Sequence, residues 1–289
     1  MNHAAANAVG NKSEITDSEF VRFRDFFYRK TGIRFDDNKR YFVDKRLLDR
    51  MEKTNHESFR SYFTELRFQA SGEELQQLIN AMTVNETYFF REEYQLECMV
   101  ESVLDEIVRL KGKNKTIRIW SIPSSTGEEP YSIALYLLEK WPMIDEVDVE
   151  IISSDIDTKV LERCRQGIYN ERSVHNLPKD LLNRYFKPTS GGKFYQINQD
   201  LRESIDFTKV NLADPVQTRP YRDFDLIFCR NLLIYFDDAS RRQAADVFFD
   251  ALNPGGYIFL GHSESMSRIS SLYKVRKFPK AISYQKPFV

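Results

Sequence analysis

The 289-residue sequence predicts an α/β protein, a mostly parallel sheet with helices on both faces, preceded by a small all-α domain. Three observations carry that prediction. Between about residues 16 and 82, apolar side chains recur at helical spacing. From Ile117 to Leu260, short β-like runs alternate with turns and helical stretches. That rhythm breaks between Gly167 and Asp206, where Pro178, Pro188 and Ser190-Gly191-Gly192 mark an insert.

With 42% hydrophobic and 29% charged residues, and only 11 Gly and 10 Pro, the chain is neither disordered nor collagen-like. The 42 basic and 43 acidic residues nearly cancel, so no global field points to nucleic acid or another polyanion. Cys98, Cys164 and Cys229 are far apart and odd in number, which excludes a disulfide framework and a zinc cluster. The four histidines are likewise scattered, so no metal site is expected. No apolar run approaches the ~20 residues of a membrane span. The Ala/Asn-rich start carries no signal-peptide core, and the reading is cytoplasmic.

Taken in order, residues 1–13 read as a flexible tail. Thr16 or Asp17, with Glu19 following, marks the first helix start. Phe20, Phe23 and Phe27, then Val43, Leu47 and Met51, then Phe59, Phe63 and Leu66, then Leu75, Leu78 and Ile79 give a helical domain over 14–82. A linker over 83–97 joins it to the sheet domain, 98–289. Strands are expected at Ile117–Trp120, Val149–Ser153, Ile205–Val210, Asp225–Cys229 and Tyr257–Leu260. Helices are expected at Pro130–Lys140, Thr158–Arg165 and Ala239–Leu252. Asn253-Pro254-Gly255-Gly256 reads as a turn, and the insert near 168–206 as a helix with a hairpin.

The turn after the first strand, Ser121 to Pro130, is the first site candidate, because open α/β sheets bind ligands beyond the carboxyl ends of their strands. It lacks a P-loop lysine. Glu128 and Glu129 at the helix start repel phosphate and suit a cation. Asp155, closing the next strand, is placed to hold ribose hydroxyls. Together they suggest an adenosine-containing ligand with a positive part.

Five strings occur in order: Asn85-Glu86-Thr87-Tyr88-Phe89-Phe90-Arg91; Ser124-Ser125-Thr126-Gly127-Glu128-Glu129-Pro130-Tyr131-Ser132; Ser154-Asp155-Ile156-Asp157; Phe228-Cys229-Arg230-Asn231-Leu232-Leu233-Ile234-Tyr235-Phe236; and Gly261-His262-Ser263-Glu264-Ser265. Over residues 14–285 the chain resembles the CheR family, S-adenosylmethionine-dependent methyltransferases that esterify glutamates of methyl-accepting chemoreceptors. The resemblance implies a Rossmann-like class I methyltransferase domain with a small inserted β-subdomain, behind a small all-α domain. It implies S-adenosylmethionine as cofactor, S-adenosylhomocysteine as product, and cofactor contacts from Asn85, Thr87, Arg91, Glu129 (with Glu128 as neighbour), Asp155, Asn211, Leu212, Asn231 and Leu232. Arg91 and Tyr235 are the catalytic candidates, to orient the acceptor carboxylate.

Further expectations follow from the likeness. Lys39, Arg46, Arg50 and Lys53 fall on one face of the second helix, and in the family the corresponding helix lies against the receptor's acidic methylation helices. The insert can take a receptor C-terminal peptide as an added strand, with Lys193-Phe194-Tyr195-Gln196-Ile197 as the edge and Arg184, Lys187 and Lys193 for acidic residues. The protein is expected to act as a monomer, without nucleic acid or membrane insertion. Ile122-Pro123-Ser124 stands where family members have small residues, which predicts reshaped or weakened cofactor binding. That departure alone supports a second reading, a cofactor-sensing interaction protein with lost or weak turnover. A Rossmann oxidoreductase is disfavoured by the missing GxGxxG.

Overall fold

Thr16 opens α1 (Asp17–Thr31) with the reciprocal bonds its spacing from Glu19 predicts. Its hydroxyl accepts from the Glu19 N–H at 3.3 Å, and the Glu19 carboxylate accepts from the Thr16 N–H at 2.9 Å. In the computed structural model, which describes residues 14–288, α2 (Arg40–Lys53), α3 (Phe59–Phe68) and α4 (Glu73–Met82) complete the first domain. The tail expected over 1–13 lies outside the described residues. Phe20, Phe23, Phe27, Val43, Leu47, Met51, Phe63 and Leu78 meet in one core, so the helical spacing marks the buried faces.

Residues Thr83 to Tyr88 have no regular structure. Then come α5 (Glu93–Cys98), a single π-helical stretch (Met99–Val103) and α6 (Leu104–Lys111). Helix therefore occupies the end of the 83–97 interval.

The large sheet contains β1 (Ile117–Ser121), β2 (Val149–Asp155), β6 (Ile205–Lys209), β7 (Phe224–Cys229), β8 (Leu252–Leu260), β9 (Lys274–Lys277) and β10 (Ile282–Gln285). Its order is β6-β2-β1-β7-β8-β10-β9; the first five strands are parallel, β10 is antiparallel to β8, and β9 is antiparallel to β10. Side chains of β1 alternate between two cores. Ile117 and Ile119 join the apolar faces of α6 and α7 (Glu128–Lys140). Trp120 stacks on Phe224 at 5.3 Å and meets Phe248 of the helix Asp238–Ala251. α8 (Thr158–Gln166) follows β2 and packs on β2 and β6.

Three details depart from the sequence reading. The segment Asn253–Gly256 is part of β8 rather than a turn before it. Phe224 pairs with Leu252 but Leu226 with Tyr257, so the extra residues bulge, held by the bonds Gly255 N–H to Lys286 O and Lys286 N–H to Gly256 O. β9 gives no alternating apolar signal, because Lys274-Val275-Arg276-Lys277 is a charged edge strand. In the insert, β3 (Ile168–Asn170), β4 (Phe186–Thr189) and β5 (Phe194–Ile197) form a separate antiparallel sheet of order β3-β5-β4. Phe194–Ile197 is therefore the central strand, paired on both sides, and cannot be the free edge expected for it. Any added strand must pair with β3 or β4.

Candidate functional site

The ends of β2, β1 and β7 lie side by side, and the crossovers leave β1 in opposite directions, which opens a crevice above its carboxyl end. The loop from Ile122 to Gly127 forms its floor. Gly127 has φ +99°, and a Cβ there would stand 2.8 Å from the Tyr169 hydroxyl, so the turn into α7 requires glycine. Ile122 is buried in the core below, while Pro123 contributes to the cavity wall.

Two residues later Glu129 points back under the loop. One carboxylate oxygen accepts from Ser121 Oγ at 2.9 Å and the other from Arg230 Nε at 2.5 Å. Arg230 also donates Nη1 to the Arg91 carbonyl at 2.6 Å. Both members of the pair are buried, so each charge is compensated inside the protein. Glu128 differs. It is buried, bonds Thr126 Oγ1 at 2.6 Å, lies outside the cavity wall, and burial pushes its carboxyl up.

Asp155 closes β2 with both oxygens directed by backbone donors, Ser125 N–H at 2.8 Å and Asp157 N–H at 2.9 Å. Burial is the larger influence and pushes its carboxyl up to about 7, against the pull of those N–H groups. Asn231 sits at φ +57°, and its N–H donates to Glu264 Oε2 at 2.8 Å, as does the Gly261 N–H at 2.9 Å. Glu264, half-buried, thus braces the turn after β7 as an acceptor for both N–H groups.

The opposite wall comes from the first domain and the stretch after it. Together they enclose a cavity of about 600 Å³. Of the residues singled out in the sequence, Asn85, Thr87, Arg91, Glu129, Asp155, Asn231, Leu232 and Tyr235 line it, and Lys39 reaches its rim. Asn211 and Leu212 do not. The Asn211 amide donates to the Lys30 carbonyl at 2.6 Å, and Leu212 is packed into the core beside Phe236. Residues 85–282 match the family described as CheR methyltransferase, SAM binding domain, and residues 18–83 match CheR methyltransferase, all-alpha domain.

The chain belongs to the CheR methyltransferase family. It is 60% identical over 277 residues to chemotaxis protein methyltransferase 2 of Vibrio cholerae, covering 96% of each chain. It is 35% identical to the chemotaxis protein methyltransferase of Escherichia coli, covering 91% of this chain and 89% of that one. The relative from Borreliella burgdorferi is also 35% identical, with 87% and 89% covered.

The cavity of this CheR-family protein fits S-adenosylmethionine on its own evidence. Ser125 Oγ is buried at the wall and has no partner among the described residues, a hydroxyl left for a ligand to satisfy. Asp155 retains acceptor capacity for ribose hydroxyls after its two N–H bonds, and Glu129 for an ammonium. Arg230 and Ser125 were missed as individual residues by the sequence reading, although both stand inside its quoted strings. Nothing local marks a partner 101 positions away.

The catalytic candidates Arg91 and Tyr235 both line the cavity. Arg91 Nη1 donates to the Glu86 carbonyl at 3.0 Å, and its guanidinium lies 5.8 Å from the Tyr88 ring centre. Tyr235 is 38% exposed, and burial pushes its phenol up, with Arg91 pulling the other way. It is therefore a hydrogen-bond donor at neutral pH.

The basic stripe is divided by the structure. Arg50 makes a two-pronged pair with buried Glu74, Nε–Oε1 at 2.9 Å and Nη2–Oε2 at 2.5 Å, and Tyr62 donates to the same carboxylate. Its charge is spent inside the domain. Arg46 is half-buried, stacks on Phe42 at 3.4 Å and donates to the Ala81 carbonyl at 2.9 Å. Lys39 belongs to the short 3-10 turn before α2 rather than to the helix. Lys39 and Lys53 are exposed.

Proposed function

We propose that this methyltransferase esterifies glutamate side chains on the cytoplasmic helices of methyl-accepting chemoreceptors, acting in the cytoplasm as a monomer. The observation that carries the reading is one cavity at the carboxyl ends of the strands. It brings a buried Glu129–Arg230 pair, the Asp155 carboxylate and the Arg91/Tyr235 mouth together around one ligand-sized space. The name printed for the Vibrio cholerae relative, 60% identical to this chain, supports the same chemistry. No helix among the described residues is long and apolar enough to cross a membrane.

S-adenosylmethionine, when bound, supplies an electrophilic methyl group on a sulfonium. Glu129 would accept from the ammonium of its amino-acid part and Asp155 from the ribose hydroxyls, while Asn85, Thr87, Asn231 and Leu232 line the remaining walls. An exposed acceptor glutamate, with a pKa near ~4.3, is already a carboxylate at neutral pH, so no general base is required. Arg91 and Tyr235 would each donate to that carboxylate and orient it toward the methyl. Neither removes a proton. Positioning of this kind contributes up to ~7–11 kcal/mol to rate acceleration in favourable cases. The test is transfer of labelled methyl from S-adenosylmethionine to receptor membranes, followed by mild alkali. Base-labile label on glutamates is expected. Binding of cofactor without any transfer would instead favour the cofactor-sensing reading.

Receptor docking is proposed at the α2 surface through the exposed Lys39 and Lys53, because Arg50 is paired with Glu74 and Arg46 is held against Phe42 and Ala81. Lys53→Glu is expected to lower kcat/KM for receptor about two- to fivefold at low salt, since exposed pairs contribute ~0.2–1 kcal/mol. The difference should vanish as salt shortens the screening length below ~8 Å, with cofactor affinity unchanged. A salt-independent loss would remove Lys53 from the docking surface. A receptor C-terminal peptide, if it adds as a strand, pairs at β4 or β3. Pro188 lacks an N–H on β4, so pairing along that edge is interrupted at that residue.

A further inference from the structure

Asp157 is buried behind the cavity wall, and its N–H and two carboxylate oxygens each bond a different element. Its N–H donates to Asp155 Oδ1 at 2.9 Å. Its Oδ1 caps α8, accepting from the N–H groups of Lys159 at 2.8 Å and Val160 at 3.3 Å. Its Oδ2 crosses to the other wall, accepting from Thr83 Oγ1 at 2.6 Å and Asn85 Nδ2 at 3.1 Å. Asn85, a wall residue expected to meet the cofactor, thus directs its amide at Asp157. One carboxylate joins the strand end that bears Asp155 to the extended chain leaving the first domain.

Neighbouring bonds reinforce this seam. Asn80 at the end of α4 exchanges bonds with Thr158, Nδ2 to Oγ1 at 2.9 Å and Thr158 N–H to Oδ1 at 3.0 Å. Gln76 donates to the Ile156 carbonyl at 2.9 Å. These contacts hold α4 on the start of α8; among the described residues, Asp157 alone bonds Thr83 and Asn85 at the cavity wall as well as Asp155. We propose that Asp157 is a positioning residue, which sets the Thr83–Asn85 wall against the ribose-binding Asp155 carboxylate without itself touching the cofactor. The inference rests on the cofactor site described above.

Two substitutions separate this role from helix capping. Asp157→Ser keeps an oxygen that caps α8, as serine caps about as well as aspartate, but deletes the oxygen that holds Thr83 and Asn85. Asp157→Asn keeps the cap, and rotation of the Asn85 amide restores a bond across the seam. Asp157→Ser is expected to weaken S-adenosylmethionine binding about tenfold, from the loss of hydrogen bonds to a charged acceptor. Its melting temperature should fall by only a few degrees, from the two bonds lost, and its KM for receptor should stay close to that of the wild type. Asp157→Asn should recover most of the affinity. Calorimetric titration of the full chain reads this directly. Wild-type affinity in Asp157→Ser overturns the proposal, as does an equal loss in both variants that tracks a fall in melting temperature. Absence of binding by the wild type would overturn the cofactor reading itself, a distinct outcome.

Discussion

Replacing Arg230 by methionine is expected to destabilise the methyltransferase domain by ~3–5 kcal/mol and to abolish measurable cofactor binding. The Arg230 and Glu129 side chains are 2% and 10% exposed, and their contact is 2.5 Å. Removing the guanidinium leaves Glu129 with Ser121 Oγ as its side-chain donor, and frees the Arg91 carbonyl. An uncompensated buried carboxylate is the costly part; the pair itself contributes less, because both ions were desolvated to make it. At ~2–4 °C per kcal/mol for a domain of this size, thermal unfolding should fall by roughly 6–20 °C. The double variant Arg230→Met/Glu129→Gln removes both charges and should recover most of that stability but none of the binding. A drop of under about 1 kcal/mol in the single variant would show that the pair is hydrated and that the fold does not depend on it.

The second large effect is expected at Asp155. Asp155→Ala removes the acceptor for the ribose hydroxyls and should weaken S-adenosylmethionine about 10- to 150-fold, from the ~1.5–3 kcal/mol of a hydrogen bond to a charged group. Because burial raises the folded carboxyl to about 7, the wild-type affinity should also depend on pH in a defined direction. Below pH 7 the group is protonated, and a charge-assisted acceptor is lost. Affinity should therefore fall about tenfold per unit as pH drops below 7, and level off above it. The raised value also means that the ionised form is disfavoured by folding. This carboxyl costs the empty protein stability as pH rises from its unfolded value toward 7, and cofactor binding offsets that cost. Asp155→Asn should bind weakly and lack this component, while retaining any titration of the ligand's own amino group. Parallel profiles for wild type and Asp155→Asn would show that Asp155 is ionised throughout the range.

Much of this protein was legible in its sequence because the signals concerned were local. The capping box at Thr16 and Glu19 forms as spaced. The β1 and β2 runs are strands, and the strings around Asn85, Glu129, Asp155 and Asn231 supply residues to one cavity. A helix start, a strand and a turn are each decided by side chains within a few residues, through backbone bonds and alternating burial. That is also why the division into a helical domain and a parallel sheet could be read before any contact was seen.

What only the tertiary structure decided are pairings between distant segments. Arg230 meets Glu129 because β7 lies beside β1, a crossover that neither segment encodes by itself. Arg50 is turned inward by Glu74 on another helix, so a stripe drawn from one helix alone overcounts free charge. Asn211 and Leu212 face away from the cavity because Lys30 and the core claim them. Phe194–Ile197 carries strand-forming residues whether central or at an edge, and its place was set by β3 and β4 closing on both sides. In each case a charge or backbone row has more than one local solution. The choice belongs to the partner that burial brings within hydrogen-bond distance.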